Sequence, residues 1–241
     1  MTFLKKTHKL FLQILFNLFS LLGLSDVLIK AIQNSGLYMS YIKTTKASGI
    51  KPFSTRECLY KYLMKSIQPV SFNYMEFGVY QGKSIRFFIE HNHHPHNKYF
   101  GFDTFYGIPT DWGNRKAGSY SNSGNLPEIN DHRLNFLVGT FQEQLPAFLI
   151  TNKKILANQI NIIHLDADVY SSTLFVLIHL IPYLKTGDYI LFDEFSFLLD
   201  HEFKAFNDFC MASEIKIDLI ASTIDNVQTL FEVKQNSYYK P

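Results

Sequence analysis

The chain has 241 residues, 46% of them hydrophobic and 16% aromatic, with 23 Lys and Arg against 21 Asp and Glu for a formal charge of +2. That is a globular composition in a length one domain can fill, which excludes wholesale disorder. A near-neutral chain gives no electrostatic reason for a nucleic-acid partner, so the expected partner is a small molecule. Cys58 and Cys210 lie far apart with no C-x-x-C spacing. This sets aside a disulfide framework and a structural zinc site, and it suits a reducing, cytoplasmic compartment.

The amino end reads "MTFLKKTHKLFLQILFNLFSLLGLSDVLIKAI". Its apolar run from Leu10 to Leu24 falls short of the roughly 20 residues that span a bilayer. Lys9, Gln13, Asn17 and Ser20 recur at helical spacing, so a helix here carries one narrow polar stripe and a wide apolar face. The pattern predicts that residues 1–30 lie peripherally on a membrane or dock on another copy of the chain, with a cleaved signal as the rival. A linker bearing "TTKASGIKP" is expected to run to residue 55, which divides the chain into a segment 1–55 and a domain 56–241.

From Ser54, an expected amino cap, "TRECLYKYLMKSI" predicts a helix. Strands and helices then alternate. "SFNYMEFGVY" reads as a strand entering a glycine turn and "SIRFFIEH" as the helix after it. "KYFGFD", "RLNFLVG", "INIIHLDAD" and "DYILFDEF" read as four further strands, with "SSTLFVLIHLIPYL" a helix between the last two. "KIDLIASTIDNVQTLFEVK" predicts a strand pair around Asp225 and Asn226. The order implies an α/β fold: a Rossmann-like, mostly parallel central sheet with helices on both faces and an antiparallel terminal strand pair.

In such sheets ligands bind beyond the carboxyl ends of the strands, where strand order switches. Each of those ends holds a carboxylate here. In "EFGVYQGKS", Gly78 and Gly82 flank a strand-to-helix turn that lets backbone approach a ligand, Glu76 could accept from a ligand amine, and the helix starting near Ser84 offers free N–H groups. Asp103, with Thr104 beside it, ends the next strand, where an acid reaches ribose hydroxyls. The stricter G-x-G-x-x-G spacing of NAD sites is absent, so a smaller adenosine cofactor fits better. "HLDAD" adds Asp166 and Asp168, and "FDEF" adds Asp193 and Glu194. Carboxylates gathered in one pocket repel unless a cation joins them, and hard oxygen ligands suit Mg²⁺ or Ca²⁺; the alternative is that Asp166 or Asp168 caps the next helix. The loop "TDWGNRKAGSYSNSGNLPEINDHR" has the length of a lid or binding loop, with Trp112 and Tyr120 either facing a ring or anchoring the loop. The histidines of "HNHHPH" read as solvated residues of a connection.

Together, "EFGVYQGKSIRFF", "YFGFDTFYGIP" followed by "DW", "FLVGTFQEQLP", "IIHLDADVYSST" and "GDYILFDEF" resemble class I S-adenosylmethionine-dependent methyltransferases, specifically the macrocin O-methyltransferase-like group, from about Asn73 to Val233. The resemblance implies that Glu76, Gly78 and Gly82, with Ser84, hold the methionine end of S-adenosylmethionine, and that Asp103 and Thr104 hold its ribose. In metal-using relatives Mg²⁺ is held at positions equivalent to Asp166, Asp193 and Glu194, although Glu194 stands where Asp or Asn is usual. The implied activity is O-methylation of a hydroxylated small molecule, a sugar or sugar-bearing metabolite, with Asp166 as base and His201 as the alternative. A catalytically silent member of the fold, serving as a membrane-associated or assembly module, is the competing reading.

Overall fold

The computed structural model describes residues 34–41 and 50–240. The chain divides into two compact units, Met1–Lys46 and Ala47–Pro241. In the first, residues 34–41 are helical; the expected apolar helix of residues 1–30 lies outside the described residues. Among the described residues no helix is long and apolar enough to cross a membrane.

The second unit contains eight strands, β1 (Lys51–Phe53), β2 (Phe72–Phe77), β3 (Lys98–Asp103), β4 (Leu134–Val138), β5 (Ile160–Leu165), β6 (Tyr189–Phe192), β7 (Lys216–Thr223) and β8 (Thr229–Gln235). Five helices intervene: α1 (Arg56–Ile67), α2 (Lys83–His91), α3 (Phe141–Asn158), α4 (Tyr170–Leu180) and α5 (Glu202–Ala212). The strands form one sheet in the order β1-β7-β8-β6-β5-β2-β3-β4. Only β8 runs against its neighbours, pairing antiparallel with both β6 and β7. The expected antiparallel pair in the closing stretch is β7 and β8, and one expectation changes here: the segment assigned to a linker supplies β1, which pairs in parallel with β7 and covers its edge. The described residues 50–55 thus lie within the unit that carries the sheet.

Local chemistry explains the helices that frame the site. Thr55, not Ser54, caps α1 by accepting from the Cys58 amide. Leu59, Tyr60, Leu63, Met64 and Ile67 then recur at spacings of three and four and bury one face of that helix. Thr140 and Glu143 form a reciprocal capping box at the start of α3. The strands are apolar nearly throughout, as expected for a sheet covered on both faces, and β2 is buried at all six positions. An aromatic-rich core of Tyr60, Phe72, Tyr74, Phe88 and Tyr99 joins α1 and α2 to the sheet. The chain order reverses at β2, whose neighbours are β3 on one side and β5 on the other. A crevice opens at the carboxyl ends of strands at such a point.

Candidate active site

At that crevice lies a cavity of about 530 Å³, with Arg56, Gly78, Asp103, Thr104, Asp166, Asp168, Asp193 and Glu194 in its wall. Gly78 sets its floor. Its φ is +97°, and a β-carbon there would come within 1.8 Å of the Asp166 carbonyl oxygen. The Gly78 amide donates to the Phe102 carbonyl at 2.9 Å and the Asp166 amide to Phe77 at 3.0 Å, so the ends of β2, β3 and β5 stay knitted beyond the last ladder pair. Only glycine combines this conformation with this approach.

Asp103 is held by the glycine turn as much as it serves it. Oδ2 accepts from the Val79 and Tyr80 amides at 2.8 and 2.7 Å, and Oδ1 from the Phe105 amide at 2.7 Å. The other residues assigned to the turn sit elsewhere. Gly82, in a left-handed conformation, begins α2 and packs against Pro127 and Ile129. Ser84 is buried in the first turn of α2. Neither residue lines the cavity, and neither does Glu76. Glu76 is 1% exposed within β2, and its Oε2 accepts from the Tyr74 hydroxyl at 2.6 Å. Direct contact of Glu76 with a ligand in the cavity, as expected from the motif, is not the geometry found.

The acids past the ends of β5 and β6 are poorly compensated, Asp193 apart. Burial, then repulsion from Asp193, Asp168, Glu76 and Glu202, pushes the pKa of Asp166 well above the ordinary carboxylate range. Asp168 adopts φ +58° just past the end of β5, so the turn rather than strand alternation aims its carboxyl group. Burial raises its pKa to about 6, while burial and the neighbouring Asp168 raise that of Glu194 to about 8. Glu202, 1% exposed, accepts from the Glu194 amide at 3.0 Å and is raised well above its usual value, chiefly by burial. Neither Asp166 nor Asp168 caps α4. That role falls to His201, whose Nδ1 accepts from the Tyr170 amide at 3.2 Å.

This contact argues against His201 as a base. Burial lowers its pKa, the neutral ring uses its one lone-pair nitrogen on the amide, and the residue does not line the cavity. Trp112 proves to be an anchor. It is 2% exposed and packs with Ile108 and Val169 against Tyr120 and Leu198. Arg115 lies over the Trp112 and Tyr120 rings and donates to the Tyr120 hydroxyl. Tyr120 itself reaches the cavity wall.

Asp193 belongs to a different circuit, which sequence reasoning did not find. Arg56 Nη1 lies 3.2 and 3.0 Å from its two oxygens, and the Tyr60 hydroxyl donates to Oδ1 at 3.2 Å. His164 Nε2 stands 3.8 Å from Oδ1, an ion-pair separation, while its Nδ1 is 2.6 Å from the Tyr74 hydroxyl and 3.7 Å from Glu76. Burial disfavours the charge on His164, but Asp193 and Glu76 outweigh it and lift its pKa to about 9. Burial likewise opposes the charge on Asp193, and His164, Arg56 and Tyr60 more than offset it, holding that carboxyl below its usual value. A lone histidine in the apolar run "INIIHL" was the available signal, since a buried polar ring needs partners. Arg56 carried no such signal.

The expected Mg²⁺ ligand set does not fit this arrangement. Asp193 already meets a guanidinium and a hydroxyl. Among the described residues no three His, Cys, Asp or Glu side chains are placed to hold a metal ion.

A glycine turn, a strand-end acid and a cavity at the switch point of a sheet with an inserted antiparallel strand define a class I methyltransferase fold. A family model described as a methyltransferase domain matches residues 75–195, about half of the chain. The chain belongs to this family of S-adenosylmethionine-dependent methyltransferases. No curated protein sequence matches it significantly. Among solved structures it is similar to CalS11, a calicheamicin methyltransferase, with TM-score 0.59 and 20% identity over 73% of this chain and 77% of that one. An apo structure of CalS11, described as a TDP-rhamnose 3′-O-methyltransferase, gives 0.51 and 20% over 73% and 78%. The O-methyltransferase NovP gives 0.52 and 20% over 75% and 78%. At this identity the likeness is one of fold.

Proposed function

We propose that the chain transfers a methyl group from S-adenosylmethionine to a hydroxyl oxygen of a small molecule, a sugar or sugar-bearing metabolite. One observation carries the reading: a single cavity is lined by Gly78 and Asp103 together with the acids Asp166 and Asp168, so it suits a cationic, adenosine-bearing donor beside a proton acceptor. Assignment to the macrocin-like group rests on the five segments, and the description of CalS11 as a TDP-rhamnose 3′-O-methyltransferase agrees with a sugar acceptor.

Asp103 Oδ1 accepts a single backbone N–H and keeps capacity for a ribose hydroxyl, with the Thr104 side chain next to it at the wall. Gly78 leaves the floor open for the methionine end of the donor. S-adenosylmethionine supplies an electrophilic methyl carbon on a sulfonium; the acceptor oxygen bonds to it while the C–S bond breaks, and that electron pair stays on sulfur. The hydroxyl proton passes to Asp166 and from there to solvent. The raised pKa of Asp166 makes its anion a strong acceptor, and a sulfonium nearby favours that anion. The walls align the reactants and keep water out, which is most of what a displacement with so good a leaving group requires.

Calorimetric titration separates this reading from its rivals. S-adenosylhomocysteine is expected to bind, NAD is not, and a screen of hydroxylated sugars and phenols is expected to yield a methylated ether. Binding of NAD alone would overturn the reading.

A further inference from the structure

Asp193 stands where the sequence resemblance implied a metal ligand, yet protein groups occupy its carboxylate. Arg56 opens α1 and Tyr60 follows one turn later, so the helix presents both to the same acid. His164 approaches from β5 within the sheet. Glu76, His164, Asp193 and Arg56 thus form a row of alternating charge from the interior of β2 to the cavity wall. A divalent ion bonded to Asp193 would face two positive charges and would have to displace the guanidinium. Among the described residues no three His, Cys, Asp or Glu side chains, Asp193 and Glu194 included, are placed to hold a metal ion. Arg56 also lines the cavity, and its side chain is 44% exposed.

We infer that Arg56 takes the place of a divalent cation: a fixed guanidinium neutralises Asp193 and faces the acceptor hydroxyl, so methyl transfer needs no metal. A guanidinium suits the task because it stays charged and its planar fork matches a carboxylate. The inference deepens the proposed reading and rests on its placement of the acceptor.

The test uses the full-length chain freed of metal with a chelator, then titrated with MnCl₂ while the spin resonance of free Mn²⁺ is followed. S-adenosylhomocysteine binding is measured in parallel. The wild type is expected to take up no stoichiometric Mn²⁺. Arg56→Gln is expected to bind one ion per chain, at least about tenfold more tightly than the wild type, because it uncovers a buried carboxylate. Adding Asp193→Asn should abolish the gain, and Arg56→Lys should stay as indifferent as the wild type. Arg56→Met offers a second way to free Asp193 if Arg56→Gln folds poorly. A wild-type chain that binds one Mn²⁺ at micromolar concentration overturns the inference. So does an Arg56→Gln chain that holds S-adenosylhomocysteine but gains no Mn²⁺ affinity. Failure of the wild type to bind S-adenosylhomocysteine would instead count against the proposed function, while the Mn²⁺ comparison stays readable.

Discussion

Both ends of the sheet bury carboxylates, and they treat them in opposite ways. At the amino ends Asp188, fully buried, accepts from the Asn161 amide at 2.8 Å, the Asn161 side chain at 3.0 Å, the Lys185 amide at 3.0 Å and the Lys185 ammonium at 2.7 Å. At the carboxyl ends Asp166, Asp168 and Glu194 face one another, and Arg115 offsets only part of the repulsion. A buried acid with all its partners is a structural rivet. Acids left competing for protons mark a place where the chain tolerates instability for the sake of chemistry.

Exchanging single acids tests that contrast. The largest effect is expected from Asp166→Asn, which should slow single-turnover methyl transfer by about 10²–10⁴-fold while leaving the protein folded. Asp188→Ala should do the reverse, costing about 3–5 kcal/mol in urea denaturation through the stranded Lys185, with unchanged S-adenosylhomocysteine affinity in the protein that stays folded. If each mutant affected both properties equally, the division between the two ends would fail.

Titration sharpens the same contrast. His164, raised to about 9, contributes stability that is whole below its ordinary pKa of 6.5 and is lost as pH climbs through about 9. Asp168 and Glu194, raised to about 6 and about 8, bind protons more tightly folded than unfolded, so stability also falls as pH rises toward those values. Calorimetric Tm is therefore expected to decline from pH 6 to pH 9. The smallest effect is expected from Glu194→Gln, which should recover about 1 kcal/mol at pH 8 by removing one member of the repelling pair.

The parallel strands were legible because a sheet covered on both faces requires apolar runs of five or six residues closed by turn chemistry, and "KYFGFD" coincides with β3 residue for residue. Asp103 and Gly78 were legible because their positions follow from where such strands end. What escaped was set by tertiary contacts. Lys51–Phe53 has no strand signature of its own and becomes one only beside β7. Arg56 looks like any helical arginine until Asp193, 137 positions away, is brought to it. Glu76 carries the motif, but Tyr74 and His164 turn it inward, which the spacing alone does not encode. His201 became a cap for the same kind of reason: the partner amide at Tyr170 lies 31 residues back in the chain.

The contact at Gly78 has a consequence for how the cavity adapts. With the Asp166 carbonyl oxygen filling the space a methyl group would need, no side chain can be added to the floor at position 78. Variation in cavity shape is left to the long loop after Phe105, whose Ile108, Pro109, Thr110 and Tyr120 line the cavity and whose Trp112 is buried. On the proposed reading, remodelling that loop is expected to retune what is methylated while Gly78 and Asp103 keep their grip on the methyl donor.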